Sequence, residues 1–199
     1  MIPNDTNANG AAETSSILKN GKLKPGIYQI QNLIGQTFVE MQGSARTSAV
    51  GPRRRYRAEK WDFQPFRPGY TIRKVYPKGS SKPDLYCAML EGLGNRSSVA
   101  VSPYPAAWKI QIVDEEKCRG FEYIRVVWST TEMVWDLAWW GNSSDGNKVQ
   151  VFAGNSTQPC QNWKLIPIDD KANTIRWTGT ATRGCSTCDD IESQRSSCN

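Results

Sequence analysis

The chain has 199 residues, 38% of them hydrophobic and 22% charged, and a formal net charge of +6. That composition belongs to a soluble globular domain with or without tails, and no run approaches the ~20 apolar residues of a membrane-spanning helix. There is no histidine, which removes Ser-His-Asp and Cys-His catalysis and His-containing zinc sites, and directs the reading toward binding rather than an enzyme, with no cofactor.

Residues 1–22 are rich in Asn, Ala, Ser, Thr and Gly and read as a flexible arm, with Ile17 and Leu18 able to dock on the domain. The arm has no basic-then-apolar signal pattern, so a cytoplasmic protein is expected, with any secretion by a non-classical route. The domain is expected over 23–168, opening at Leu23 ahead of the turn Lys24-Pro25-Gly26. A first unit, about 24–66, has candidate strands at Ile27–Asn32, Thr37–Met41, around Ala49–Val50, and at Lys60–Phe66. Its loop carries Arg53, Arg54, Arg55 and Arg57, read as a solvated basic cluster; no nucleic-acid motif with interleaved aromatics accompanies it. A second unit, about 69–113, has candidate strands at Tyr70–Val75, Leu85–Leu90, Ser98–Val101 and Ala107–Val113. A third, about 121–168, has them at Phe121–Trp128, Met133–Trp139, Lys148–Phe152 and Asn162–Ile168. Residues 169–199 are polar and turn-rich and read as a Cys-containing tail.

The three units repeat one another. An aromatic leads into each first strand (Tyr28, Tyr70, Tyr123), and a valine marks each third strand (Val50, Val99, Val149). A tryptophan opens each fourth strand, at Trp61, Trp108 and Trp163, spaced 47 (108 − 61) and 55 (163 − 108) residues apart. A four-stranded unit cannot bury its apolar face alone, so three must share one core. Twelve short strands in three such units predict an all-β fold, a β-trefoil with pseudo-threefold symmetry: a six-stranded barrel closed at one end by three hairpins.

Alternation assigns faces in the third unit, because successive strand side chains point to opposite sides. Trp135 and Leu137 share one face, as do Val149 and Val151. If that face is core, Asp136, Gln150 and Phe152 project outward together. A carboxylate accepts from two hydroxyls, a carboxamide donates and accepts, and a ring offers a flat surface to sugar C–H groups. Trp139 and Trp140 follow. One of them exposed beside Asp136 would extend this platform; the alternative is that both pack on the hairpin.

The string Trp135-Asp136-Leu137, then Gly146 through Phe152, then Gln161-Asn162-Trp163 resembles one repeat of the ricin B-type (R-type) lectin family, over about a quarter of the chain. The resemblance implies binding of terminal galactose or N-acetylgalactosamine on glycans or glycoproteins, in a defence setting such as that of mushroom ricin B-like lectins. It implies that Gln161 and Trp163 pin the strand to the barrel, and that Asp136, Gln150 and Phe152 contact sugar, with Trp139, Trp140 and Asn162 as further candidates. The family often has Asn before Gln-x-Trp, and Cys160 stands there; Asn155, Asn162 or Gln158 would have to substitute. Matching the units places Tyr86, Ala100 and Ser102, and then Glu40, Gly51 and Arg53, at the three site positions, so only the third unit is expected to keep a site. One weak site would call for a homodimer or a multivalent surface.

Mushroom trefoil protease inhibitors are similar in strand pattern and in phrases such as Gly26-Ile27-Tyr28. That resemblance implies inhibitory loops, here Asn32–Gln36, Gly43–Arg57 and Tyr76–Asp84. The six cysteines (Cys87, Cys118, Cys160, Cys185, Cys188, Cys198) leave many pairings open, and free thiols are the default without export.

Overall fold

The structure is a computed structural model that describes residues 17–19, 21–43, 46–50, 58–113 and 123–168, with side chains for all of these except 46–50. The arm before Ile17, the arginine cluster, Cys118 and the tail with its three cysteines lie outside the described residues.

A hairpin of β1 (Leu18–Lys19) and β2 (Lys22–Leu23) precedes the first unit. Ile17 and Leu23 are buried with the main core, so the folded chain begins ahead of Leu23. The first unit is β3 (Gly26–Asn32), β4 (Phe38–Gln42), β5 (Arg46–Val50) and β6 (Lys60–Phe66). The second is β7 (Gly69–Val75), β8 (Tyr86–Met89), β9 (Val99–Ser102) and β10 (Trp108–Val113). The third is β11 (Tyr123–Trp128), β12 (Met133–Leu137), β13 (Asn147–Ala153) and β14 (Trp163–Pro167).

The first and fourth strands of the units close a ring. The antiparallel pairs run β3–β6, β6–β7, β7–β10, β10–β11, β11–β14 and β14–β3. The closed ring leaves no barrel edge unpaired. The second and third strands form the hairpins β4–β5, β8–β9 and β12–β13. These meet one another through β13–β5, β5–β9 and a bridge between Ser98 and Gln150. Six barrel strands and three joined hairpins are the β-trefoil that the repeats predict.

The three landmark tryptophans explain the symmetry. Trp61, Trp108 and Trp163 are fully buried. Each indole Nε1 donates to a backbone carbonyl on its own unit's second strand: Val39 at 3.1 Å, Cys87 at 2.8 Å and Trp135 at 3.2 Å. Each tryptophan therefore locks its barrel strand to its hairpin while filling the core, and satisfies the polar atom that burial would otherwise leave costly. Trp135 bridges two of them edge to face, with ring centroids 5.4 Å from Trp108 and 6.0 Å from Trp163.

These bonds fix which residues correspond. Val39, Cys87 and Trp135 are equivalent, so Asp136 matches Ala88 and Glu40. Across the hairpins, Gln150 opposite Asp136 matches Ala100 opposite Ala88 and Ser48 opposite Glu40. Two sequence assignments are thereby corrected. Tyr86, expected at the Asp136 position, lies two residues earlier and faces Ser102. Gly51, expected at the Gln150 position, gives way to Ser48, and Val50 corresponds to Phe152 in place of Arg53. Equal spacing misled because the units differ in loop length, and the valine taken as a marker in the first unit lies three residues beyond the true match, Thr47.

Candidate functional site

The site is built on β12 and β13, where Asp136 and Gln150 are direct cross-strand partners. Gln150 Nε2 donates to Asp136 Oδ1 at 2.8 Å. The other oxygen, Oδ2, lies 3.3 Å from the Cys160 thiol and 3.4 Å from Gln161 Nε2. A carboxylate has about four lone-pair positions, so three donors leave about one for a ligand hydroxyl.

Alternation correctly separates Asp136 and Gln150 from the tryptophan core, but the expectation that they project into solvent is corrected. Asp136 is 7% exposed and Gln150 6%. The cover is the short 3-10 turn Pro159–Gln161, which carries the buried Cys160 and Gln161 over the β12 strand. Gln161 also donates to Ala153 O at 3.1 Å and accepts from Asn155 N at 2.8 Å. It pins the 154–161 loop to the hairpin as well as to the carboxylate. Phe152 shares the Asp136 face, two pairs along opposite Val134, and is half-buried.

Burial, the Asp136 charge and the bond to Asp136 push the Cys160 thiol up to about 12. At neutral pH it is a protonated donor. It fills the place where the resemblance expects Asn, and supplies one weak hydrogen bond where a carboxamide would donate and accept. None of the proposed substitutes joins the carboxylate. Asn162 is buried, and its Oδ1 accepts from Arg125 Nε at 3.0 Å. Asn155 closes a local turn onto Thr157, and Gln158 Oε1 lies 3.9 Å from the Cys160 thiol.

The sequence ends the second strand at Trp139 with Trp140 after it, and leaves open whether one indole is exposed or both pack on the hairpin. The strand stops at Leu137, and Ala138–Gly141 forms a tight turn. Trp139 (φ 55°) and Trp140 (φ 59°) both adopt left-handed backbone, and both are exposed, at 77% and 79%. That conformation costs roughly 1–2 kcal/mol per non-glycine residue. The turn is held by Asn147, whose Nδ2 donates to Ala138 O and to Asn142 O, both at 2.8 Å. It is seated through Gly141 (φ 82°), where a Cβ would stand 2.2 Å from Ile34 Cγ2 and 3.3 Å from Cys160 Cβ. The turn that carries the two exposed indoles therefore abuts Cys160, which bonds Asp136, and the half-exposed Ile34. The sequence marks Gly141–Asn147 as a turn, but the parts that Asn147, Gly141 and Ile34 play in holding it escaped the sequence reading.

Of the loops considered for protease inhibition, Asn32–Gln36 is fastened by Asn32, whose side chain accepts from Gly35 N and donates to Cys160 O. Tyr76–Asp84 is open to solvent, with Asp84 paired to Arg73. Gly43–Arg57 falls largely outside the described residues. Among the described residues Cys87 and Cys160 are free, no cluster of potential metal ligands occurs, and no helix is long and apolar enough to cross a membrane.

No protein-family model matches the sequence, and no curated protein does. Solved structures do match. A Macrolepiota procera ricin B-like lectin in complex with lactose aligns with a TM-score of 0.59 at 19% identity, over 76% of this chain and 99% of that one. The Rhizoctonia solani agglutinin aligns at 0.54 and 18%, over 74% and 98%. A designed threefold-symmetric protein aligns at 0.53 and 13%, over 72% and 99%. At these identities the likeness speaks for the fold, and the chain is a β-trefoil built on the fold of the ricin B-like lectins.

Proposed function

We propose that the chain is a non-catalytic, carbohydrate-binding lectin with one site, in the third unit, for glycans ending in galactose or N-acetylgalactosamine. The observation that carries this reading is the Asp136–Gln150 pair, with two exposed tryptophans on the turn that abuts Cys160. The equivalent positions in the other units carry Ala88 with Ala100 and Glu40 with Ser48, not a carboxylate opposite a carboxamide. In the mechanism, the remaining acceptor position on Asp136 takes one sugar hydroxyl and Gln150 fixes the orientation of the carboxylate. A sugar C–H face lies on the Trp139 or Trp140 ring, with Phe152 bordering the site. The lactose of the Macrolepiota lectin ends in galactose and supports this ligand class.

One shallow site of this kind binds on the order of mM, about 4 kcal/mol. Useful avidity then requires a homodimer or a dense glycan surface. Such a protein fits a defence role, acting from the cytoplasm or after non-classical release. The test is a glycan array probed with wild type and with Asp136→Asn, which keeps the shape and loses the charge. Binding to galactose-terminated glycans that disappears in the variant supports the site. Equal binding by a folded variant sinks the assignment.

A further inference from the structure

A second set of residues forms a pocket of about 460 Å³ between the N-terminal hairpin and the β6–β7 turn, well within the size of small-ligand sites. Its charged lining is Lys19, Lys22 and Lys24, and no carboxylate lines it among the described residues. Pro25, Pro65 and Tyr70 supply ring surfaces.

The frame of this pocket is tied by hydrogen bonds. Tyr70 OH donates to Leu23 O at 2.9 Å, Tyr28 OH donates to Lys24 O at 2.8 Å, and Lys24 N donates to Ile17 O at 2.9 Å. The buried Leu23 anchors the strand, so alternation turns Lys22 and Lys24 outward together. Lys19 and Lys22 are direct cross-strand partners. Like charges placed opposite each other destabilise a strand pair, and neither lysine has an ion-pair partner among the described residues. An anion seated between them turns that repulsion into attraction.

We propose that this pocket binds an acidic saccharide, with sulfate or carboxylate groups on the three lysines and a sugar ring laid against Tyr70 and the prolines. Lysine ammonium groups act as point charges, suited to an anion presented at variable angles. No arginine lines the pocket, so recognition there rests on charge and not on the bidentate fork that arginine offers to planar anions. The Tyr70 hydroxyl is committed to Leu23, so the ring offers its face, the surface that sugar C–H groups pack on. None of these residues belongs to the Asp136 site, and the proposal stands whether or not that site binds galactose.

The test is calorimetric titration of the full chain with a sulfated disaccharide, its unsulfated counterpart and sodium sulfate. The comparison protein carries Lys19→Gln with Lys22→Gln, both at exposed positions, and its melting temperature reports an intact fold. Salt-sensitive binding of the sulfated disaccharide, weakened about tenfold or more in the double variant and regained with arginine at both positions, supports the pocket. Equal binding by the double variant overturns it. So does equal binding of the unsulfated sugar, or of sulfate alone, or no binding at all.

Discussion

The Cys160 thiol lies 3.3 Å from Asp136 Oδ2, so a residue 24 positions later in sequence decides how much of the candidate sugar-binding carboxylate stays available. Replacing Cys160 with Asn puts a carboxamide that can both donate and accept against that oxygen. Affinity for galactose-terminated glycans is expected to rise in Cys160→Asn, read on the same array as wild type. Unchanged or weaker binding would mean that the thiol does not limit the site.

The same thiol gives a pH dependence with a definite sign. Its pKa in the fold is pushed up to about 12, above the ordinary thiol value of about 8.5, so the folded state holds the proton more tightly than the unfolded chain. The resulting stability is fully present below about pH 8.5 and is lost as pH rises from there toward about 12. Cys87, also pushed upward chiefly by burial, acts in the same direction. Denaturant midpoints measured from pH 8 to 11 should fall less steeply in Cys160→Ala than in wild type. Identical slopes would contradict the assigned thiol environment.

Removing the Asp136 side chain separates function from fold. Asp136→Ala leaves Gln150 Nε2 without its 2.8 Å acceptor and takes one acceptor from Gln161. A cost of about 1–3 kcal/mol is expected in urea unfolding, with glycan binding abolished. A variant as stable as wild type would show that the network carries no net stability.

Trp139 and Trp140 trade stability for surface. Asn tolerates left-handed backbone far better than Trp, and an exposed indole contributes little burial. Trp140→Asn is expected to match or exceed wild-type stability, by up to about 1 kcal/mol, while glycan affinity drops about tenfold. Loss of stability would assign the indole a packing role instead.

Gly141 is the pivot of that turn. Its φ of 82° and the 2.2 Å approach of a Cβ to Ile34 Cγ2 leave no room for a side chain. Gly141→Ala should destabilise by roughly 1–3 kcal/mol and quench or shift the Trp139 and Trp140 fluorescence as the turn moves. An unperturbed emission spectrum would argue against a shared structural unit.

Much of this molecule is legible in one dimension. Three tryptophans each opening a fourth strand, with alternating aliphatics around them, specify the barrel and its threefold repeat, because each indole must be buried and its N–H satisfied within its own unit. The same alternation puts Asp136, Gln150 and Phe152 on one face, since strand side chains have a period of two. Alternation names a face but not what lies over it. The cover on Asp136 comes from Pro159–Gln161, more than twenty residues later, and only the closed barrel brings that turn across the hairpin. Register between units was equally hidden: loops of unequal length shift the count, and the indole-to-carbonyl bonds that settle it exist only in the assembled core. The left-handed turn at Trp139 and Trp140 was likewise decided by tertiary contacts. Asn147 and the Gly141–Ile34 packing hold two residues in a conformation their own backbone preferences oppose.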